Sequence, residues 1–138
     1  MKQKTHYSQK PENLEIITVG DKDLIYVREN IEKETINTDG FETEKVGYIA
    51  DEYFMTLPHP ATGSYKEYIV AAKAMEYENL ANLARNRRDQ LLSATDYLAL
   101  SDQTMPENVK DYRQKLRDIP QQSGFPYEIE WPETEKPE

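Results

Sequence analysis

Residues 65–92 read YKEYIVAAKAMEYENLANLARNRRDQLL and contain neither glycine nor proline. Alanine, leucine, glutamate, lysine and arginine dominate this stretch, and all of them have high helix propensity. Ser64 lies directly before it and Glu67 follows three residues later, which is the pattern of a capping box at a helix N-terminus. The sequence therefore predicts one long helix from Tyr65 to Leu92.

One side of this predicted helix is apolar. At about 100° per residue, that side carries Tyr65, Ile69, Ala72, Leu80, Leu83, Ala84 and Leu91. Glu76 and Arg87 interrupt it, and two explanations stay open. Either these side chains are exposed or paired within the chain, or they set the register of a helix–helix interface.

A first β-hairpin is predicted upstream of the helix. Leu14–Val19 and Leu24–Arg28 are rich in apolar, β-forming residues, and the turn residues Gly20–Asp23 separate them. Polar, unpatterned residues precede this hairpin, and we expect residues 1–13 to form a mobile arm.

A second hairpin is predicted directly after the first. Ile31–Ile36 runs into Asn37–Gly40, which ends in the turn dipeptide Asp-Gly, and the return strand extends from Glu44 toward Leu57. The prolines of Pro58–Ser64 then indicate a linker. We interpret residues 14–63 as a β-hairpin partner-binding module with its linker.

The C-terminal half is predicted to be a helical hairpin with an extended aromatic tail. Thr104-Met105-Pro106-Glu107 resembles a second helix start with Thr104 as its cap, and Pro120 ends that helix. The tail, Gly124–Pro132, contains the single tryptophan, and we expect Trp131 to pack back on the helices. Residues 64–138 thus form a predicted helical domain, and the fold class is α+β.

The composition favours an interaction protein. Of the 138 residues, 17 are Lys or Arg and 26 are Asp or Glu, so the net charge is -9, which argues against a nucleic-acid partner. The sequence contains no apolar run of about 18 residues, so we expect no membrane span. It contains no cysteine, which excludes disulfides and thiolate sites and is typical of a reducing cytoplasm or of a particle assembled there.

Nothing in the sequence indicates catalysis. His6 and His59 lie in the predicted arm and linker, and their neighbours suggest neither a triad nor a metal site. Acidic residues are too frequent for any carboxylate pair to be informative. We therefore predict no catalytic residue, no cofactor and no metal, and a carboxylate-based hydrolase is the least favoured class.

Arginines and aspartates alternate in the helical hairpin. They are Arg85, Arg87, Arg88, Arg113 and Arg117, with Asp89, Asp96, Asp102, Asp111 and Asp118. The planar guanidinium binds carboxylates through two parallel hydrogen bonds. We predict an Arg/Asp lattice that holds the hairpin and its tail in register, and the alternative is that some of these arginines contact a partner.

Aromatic residues cluster around the linker and the start of the long helix. The predicted partner-binding residues are Tyr48, Tyr53, Phe54, Tyr65, Tyr68 and Ile69. Tyrosine is common in protein-binding surfaces because it provides rigid contact area. The alternative is that these side chains occupy ordinary half-buried positions.

From Leu83 to Pro132, the chain resembles the C-terminal domain of phage tail assembly chaperone proteins. The matching pattern comprises Arg87-Arg88-Asp89, Asp96-Tyr97, Asp102, Tyr112-Arg113, Arg117-Asp118 with Pro120, Phe125-Pro126 and Trp131-Pro132. Order and spacing are kept. Tyr97 stands where the family usually has tryptophan, a departure that affects local packing.

The resemblance implies a non-enzymatic chaperone that binds and shields a phage tail or tail-fibre protein during virion morphogenesis in the host cytoplasm. It also leaves open a structural virion component, an adaptor that joins the tail fibre to the baseplate or tail. Self-association through the long helix is a further expectation.

Overall fold

A computed structural model describes residues 2–37 and 44–133 of the chain. The chain divides into two compact units, unit 1 at Met1–Glu76 and unit 2 at Tyr77–Glu138. The long helix α1 (Tyr65–Ser93) contributes its first part to unit 1 and its second part to unit 2.

Unit 1 contains a four-stranded antiparallel sheet. Its strands are β1 (Lys2–Tyr7), β2 (Leu14–Val19), β3 (Lys22–Asn37) and β4 (Glu44–Pro58), in the order β1-β4-β3-β2. With α1 and a second helix in unit 2, this architecture confirms the predicted α+β class.

The core of unit 1 lies between one side of the sheet and the start of α1. Ile25 and Val27 of β3 pair with Met55 and Tyr53 of β4 and occupy every second position of their strands, so their side chains share one face. Tyr68 and Ala72 of α1 pack against them. We call the opposite side of the sheet the outer face.

Strand β3 is one long strand, where the sequence predicted two. Its register with β4 shifts between Glu29 and Glu32, and Asn30 has a φ of 53°. This is a β-bulge, in which an extra residue bends the strand without ending it. The sequence predicted a turn at Asn37–Gly40. Asn37 is the last residue of β3, and residues 38–43 lie outside the described residues.

The first thirteen residues include a strand that the sequence did not indicate. Lys2–Tyr7 pair antiparallel with Tyr48–Tyr53 of β4. The backbone N–H of Lys2 donates to Glu76 Oε2 at 3.0 Å, so the buried glutamate on α1 has a partner within unit 1. A polar strand of this kind is stabilised by pairing with a distant segment, which periodicity cannot predict.

The N-terminus of α1 has the predicted capping box. The Ser64 N–H donates to Glu67 Oε2 at 3.1 Å, and the Glu67 N–H donates to Ser64 Oγ at 3.3 Å. The helix ends at Ser93, one residue beyond the prediction. Leu83, which we placed on the apolar side, is mostly exposed.

Unit 2 contains the second part of α1 and helix α2 (Glu107–Arg117). A 3-10 turn follows each helix, at Asp96–Ala99 and at Ile119–Gln121. The predicted start of α2 was wrong. Its N-cap is Pro106, which makes no side-chain cap bond because the proline ring has no hydrogen-bonding group.

The core of unit 2 is a small apolar cluster. Tyr112, Leu116 and Ile119 are buried, and the partly buried side chains around them are Leu91, Leu92, Phe125, Ile129 and Trp131. The tail therefore packs back on the helices, as predicted. Its first part is not extended as predicted, because the backbone bonds from Phe125 to Gln122 and from Tyr127 to Gly124 form turns.

Candidate functional site

Arg113 connects α2 with the end of α1. Its Nη1 donates to the Leu92 carbonyl at 2.8 Å and to Thr95 Oγ1 at 2.6 Å, while Nη2 donates to Asp96 Oδ1 at 2.8 Å. The residue is 8% exposed. Three bonds from one planar cation fix the turn between the helices, because each becomes stronger where water is excluded.

Four other residues of the predicted lattice, Arg88, Asp89, Arg117 and Asp118, make shorter-range contacts. Arg88 pairs with its neighbour Asp89 at 2.8 Å. Arg117 Nη1 donates to Gln114 Oε1 at 3.5 Å, and Gln114 Nε2 donates to Asp118 Oδ1 at 3.0 Å within one helical turn. Arg113 therefore makes the hydrogen bonds of this lattice that join different elements. The wider lattice stays a prediction.

Two arginines of α1 lie over aromatic rings of the tail. Arg87 Cζ is 4.3 Å from the centroid of the Trp131 ring, and Arg85 Cζ is 5.8 Å from that of Phe125. Both distances are in the range of cation–π interactions. Arg87, which interrupts the apolar side of α1, thus has a partner within unit 2.

The Gln122 side chain forms two hydrogen bonds with the backbone of Glu130 in the tail. Its Nε2 donates to the Glu130 carbonyl at 2.9 Å, and its Oε1 accepts the Glu130 N–H at 2.9 Å. Sequence reasoning missed this pair because a bond to the backbone leaves no residue-type signal at the partner position.

The remaining motif residues divide between core and surface. Tyr112 and Pro126 are buried, Pro120 is half-buried, and Asp102 and Tyr97 are exposed. Their assignment as a structural motif remains a prediction.

The six predicted partner-binding residues do not form one surface. Tyr53 and Tyr68 lie in the core of unit 1, and Tyr48, Tyr65 and Ile69 are half-buried. Phe54 is 41% exposed, which is the largest exposed fraction among the six residues. Whether these residues contact a partner stays a prediction.

The outer face of the sheet combines apolar side chains from three strands. Tyr26 and Phe54 are cross-strand neighbours with ring centroids 5.1 Å apart. Ile17 and Val19 of β2 share this face and are 43% and 57% exposed. An apolar surface is therefore accessible on this side of the sheet.

A buried ionic network occupies the same face. Arg28 Nε donates to Glu52 Oε2 at 2.8 Å and to the Tyr7 hydroxyl at 2.9 Å, and its Nη2 donates to Glu15 Oε2 at 2.7 Å. The Tyr7 hydroxyl in turn donates to Glu52. Arg28 Nη1 also donates to the Glu12 carbonyl at 3.1 Å, which holds the β1–β2 connection over the network.

The pKa values of the network reflect burial and hydrogen bonding. Burial alone disfavours the charged forms, but the bonds from Tyr7 and Arg28 outweigh it and lower the pKa of Glu52. The bonds of Arg28 to Glu15, Glu52 and Tyr7 similarly outweigh its burial and raise its pKa. The pair is therefore ionised in the folded protein. Sequence reasoning missed it because Arg28 and Glu52 are far apart in the chain.

The two histidines lie beside carboxylates. His59 Nδ1 is 3.0 Å from Asp23 Oδ1, and His6 Nδ1 is 2.7 Å from Glu34 Oε1. The Ala61 N–H donates to Asp23 Oδ2 at 2.7 Å and is the main cause that lowers the pKa of Asp23. The contacts of His59 and Ala61 with Asp23 connect the linker to strand β3.

Within residues 2–37 and 44–133, no cluster of three His, Asp or Glu side chains suits a metal ion. Among the same residues, no helix is long and apolar enough to cross a membrane.

Residues 81–138 match the family model described as phage tail assembly chaperone protein. This match confirms the resemblance predicted for about residues 83–132. The matched family is one of assembly chaperones, a class that suggests a non-enzymatic role. Neither the search of curated proteins nor that of solved structures returned a match.

Proposed function

We propose that this protein is a non-enzymatic chaperone that binds a phage tail or tail-fibre protein and shields it during virion assembly. The match of residues 81–138 to the tail assembly chaperone model carries the proposal. The tail-fibre partner, the shielding and the action in the host cytoplasm are the parts that go beyond that match.

Unit 1 supports a partner-binding role for residues 14–63. Tail proteins expose strand edges and apolar surface before they assemble, and such surfaces aggregate. The outer face offers a complementary apolar surface through Ile17, Val19 and Phe54. Exposed apolar groups that lie together on one face are typical of interaction sites.

The net charge supports the shielding role. A charge of -9 makes complexes repel one another, and this repulsion opposes aggregation of the bound tail protein. Release needs no nucleotide, because a larger contact between tail subunits can displace the chaperone.

Self-association through α1 is a weaker proposal. Val70 and Met75 are exposed on the part of α1 in unit 1. At 100° per residue they lie about 140° apart around the helix, so they do not form one stripe. A helix–helix interface requires apolar residues that recur on one side.

Co-expression of the full chain with the tail genes of its phage, followed by affinity purification, tests the function. We expect a tail or tail-fibre protein to co-purify. Phe54→Ser should weaken its recovery, whereas Leu100→Ser, at an exposed apolar position of unit 2, serves as the matched control. Recovery of no tail protein would overturn the proposal.

Mass spectrometry of purified virions separates a chaperone from a structural component. A chaperone leaves the finished particle, so we expect the protein at far below one copy per tail subunit. Stoichiometric presence would instead support the adaptor between fibre and baseplate or tail.

A further inference from the structure

The two edges of the sheet in unit 1 differ in how they are protected. Natural edge strands avoid unwanted pairing through lysines, prolines, bulges or short length. β1 carries Lys2, Lys4 and His6, and its Lys2 N–H is already bonded to Glu76. This edge therefore has the usual protection.

β2 lacks these protective features. Its six residues, LEIITV, contain neither lysine nor proline, and they pair with β3 in a continuous register from Leu14 to Val19 without a bulge. Its only charge is Glu15, which pairs with the Arg28 guanidinium of the neighbouring strand β3 at 2.7 Å. Among residues 2–37 and 44–133, no strand pairs with the side of β2 away from β3, which we call the free edge.

The register determines which backbone groups point to the free edge. Val19 and Lys22 are partners across the two-residue turn, so they exchange hydrogen bonds, and the Arg28 N–H donates to the Asn13 carbonyl at 2.8 Å. Odd-numbered residues of β2 therefore bond to β3. The N–H and C=O groups of Leu14, Ile16 and Thr18 point outward.

We propose that the free edge of β2 binds an extended segment of the partner as a fifth strand. This inference rests on the proposed function and names the recognition mode. Only an extended backbone about 4.8 Å away can pair with outward groups on alternate residues. A helix cannot do so, because its backbone groups are already paired internally.

The side chains of β2 define the chemistry of that segment. Ile17 and Val19 project on the outer face, and Leu14 and Ile16 project on the opposite face. The added strand is therefore expected to be apolar on both faces.

The net charge of the protein favours a segment of another protein over a second copy of this chain. Each copy carries -9, so two copies joined edge to edge repel one another. A neutral or basic segment of a tail protein meets no such repulsion. The occupant to which we commit is a partner strand of that kind.

Substitutions at Ile16 test the proposal with the full chain. Ile16→Pro removes an outward N–H and leaves the bonds to β3 intact, and proline is tolerated on edge strands. Ile16→Ala removes the side chain and keeps the N–H. With the tail protein recovered by co-expression as probe, we expect binding at least about tenfold weaker for Ile16→Pro than for Ile16→Ala.

A second variant tests the free edge of β2 without a proline substitution. Ile17→Lys places a protective lysine on the edge and should also weaken binding about tenfold. The control Val70→Lys makes the same change at an exposed position of α1 and should leave binding within about twofold. Circular dichroism establishes that each variant is folded.

Amide hydrogen exchange gives a pattern that other binding modes would not produce. In the free protein, the amides of Glu15, Ile17 and Val19 should exchange slowly, and those of Leu14, Ile16 and Thr18 should exchange fast. In the complex, the second set should become protected.

The outcomes separate this inference from the proposed function. Recovery of a tail protein that binds wild type and Ile16→Pro equally, without new protection, would overturn strand addition and leave the chaperone role standing. Recovery of no tail protein would overturn both. A wild-type dimer that Ile16→Pro converts to a monomer would overturn the choice of a foreign strand.

Discussion

Units 1 and 2 are stabilised in different ways. Unit 1 buries the charges of Arg28, Glu52, Asp23 and Asp51 next to a mostly apolar core. Unit 2 has a small apolar cluster and one buried cation, Arg113, at a helix junction. The family match falls on residues 81–138, so the recognised motif belongs to the helical unit, whereas the candidate binding surface belongs to the sheet.

The matched motif and the proposed binding surface therefore lie in separate parts of the chain. The motif residues of unit 2 hold two helices and a tail together over short distances in sequence. The sheet depends on contacts between segments that are far apart, and these contacts create its exposed edge.

The largest expected effect is in the ionic network of unit 1. Glu52→Ala leaves the buried Arg28 charge without its buried carboxylate partner and should lower the free energy of unfolding by about 3–5 kcal/mol. Hydrogen exchange of the buried amides of β3 and β4 measures the loss. Glu107→Ala, which breaks the exposed pair with Lys110, is the control and should cost at most about 1 kcal/mol.

The fluorescence of Trp131 shows whether the two units respond separately. It is the single tryptophan and lies in unit 2, so its unfolding transition should shift little in Glu52→Ala. An equal shift in both readouts would contradict the distinction between the units.

The next effect is at the helix junction. Arg113→Ala removes the hydrogen bonds to the Leu92 carbonyl, Thr95 Oγ1 and Asp96 Oδ1, and we expect a loss of about 2–3 kcal/mol in urea unfolding followed by Trp131 fluorescence. Arg117→Ala is the matched control on the same helix and should change the stability by at most about 0.5 kcal/mol. Similar losses for the two arginines would show that Arg113 does not act as the junction.

A smaller effect is expected in the tail. Trp131→Ala removes the ring under Arg87 and part of the apolar cluster, and because the ring is only partly buried we expect a loss of about 2 kcal/mol. Thermal unfolding followed by circular dichroism measures it. Tyr97→Ala, at an exposed aromatic residue, should leave the melting temperature nearly unchanged, and a larger shift there would argue against a specific role for the tail.

The smallest effect near neutral pH comes from titration of unit 1. Hydrogen bonds lower the pKa values of Asp23, Asp51 and Glu52, with Ala61 the main donor to Asp23 and Asn30 the main donor to Asp51. A lowered pKa adds stability that is complete above the unfolded value of about 4 and disappears as the pH falls through the folded value.

Stability of unit 1 should therefore be constant from neutral pH down to about 5 and decrease below about 4. Hydrogen exchange of β4 amides across this range measures the decrease. Asp23→Asn should make it less steep, since one of the titrating groups is gone. Unchanged steepness would exclude Asp23 as a contributor.

The parts of the fold that depend on neighbouring residues could be predicted from the sequence. α1 follows from its composition and from Ser64 and Glu67, and β2 follows from its β-branched residues before Gly20. β1 could not be predicted, because Lys2–Tyr7 is polar and its partner lies more than forty residues away in β4. The bulge at Asn30 was also missed, since a polar residue in a strand usually indicates a turn.

The candidate site was predictable only in part. The resemblance pointed to Arg113, and the structure adds that its partners include a backbone carbonyl and a hydroxyl, which residue types do not reveal. The free edge of β2 could not be predicted, because which strands lie at the edges of a sheet depends on the order of all four.

The lysines of β1 set an upper limit on the size of the assemblies this sheet can form. Because one side of the sheet is closed by cations and by Glu76, growth by strand addition proceeds in one direction only. Under the proposal, each copy holds a single client segment and cannot bridge two clients. Raising the chaperone concentration would then saturate tail proteins one by one instead of crosslinking them.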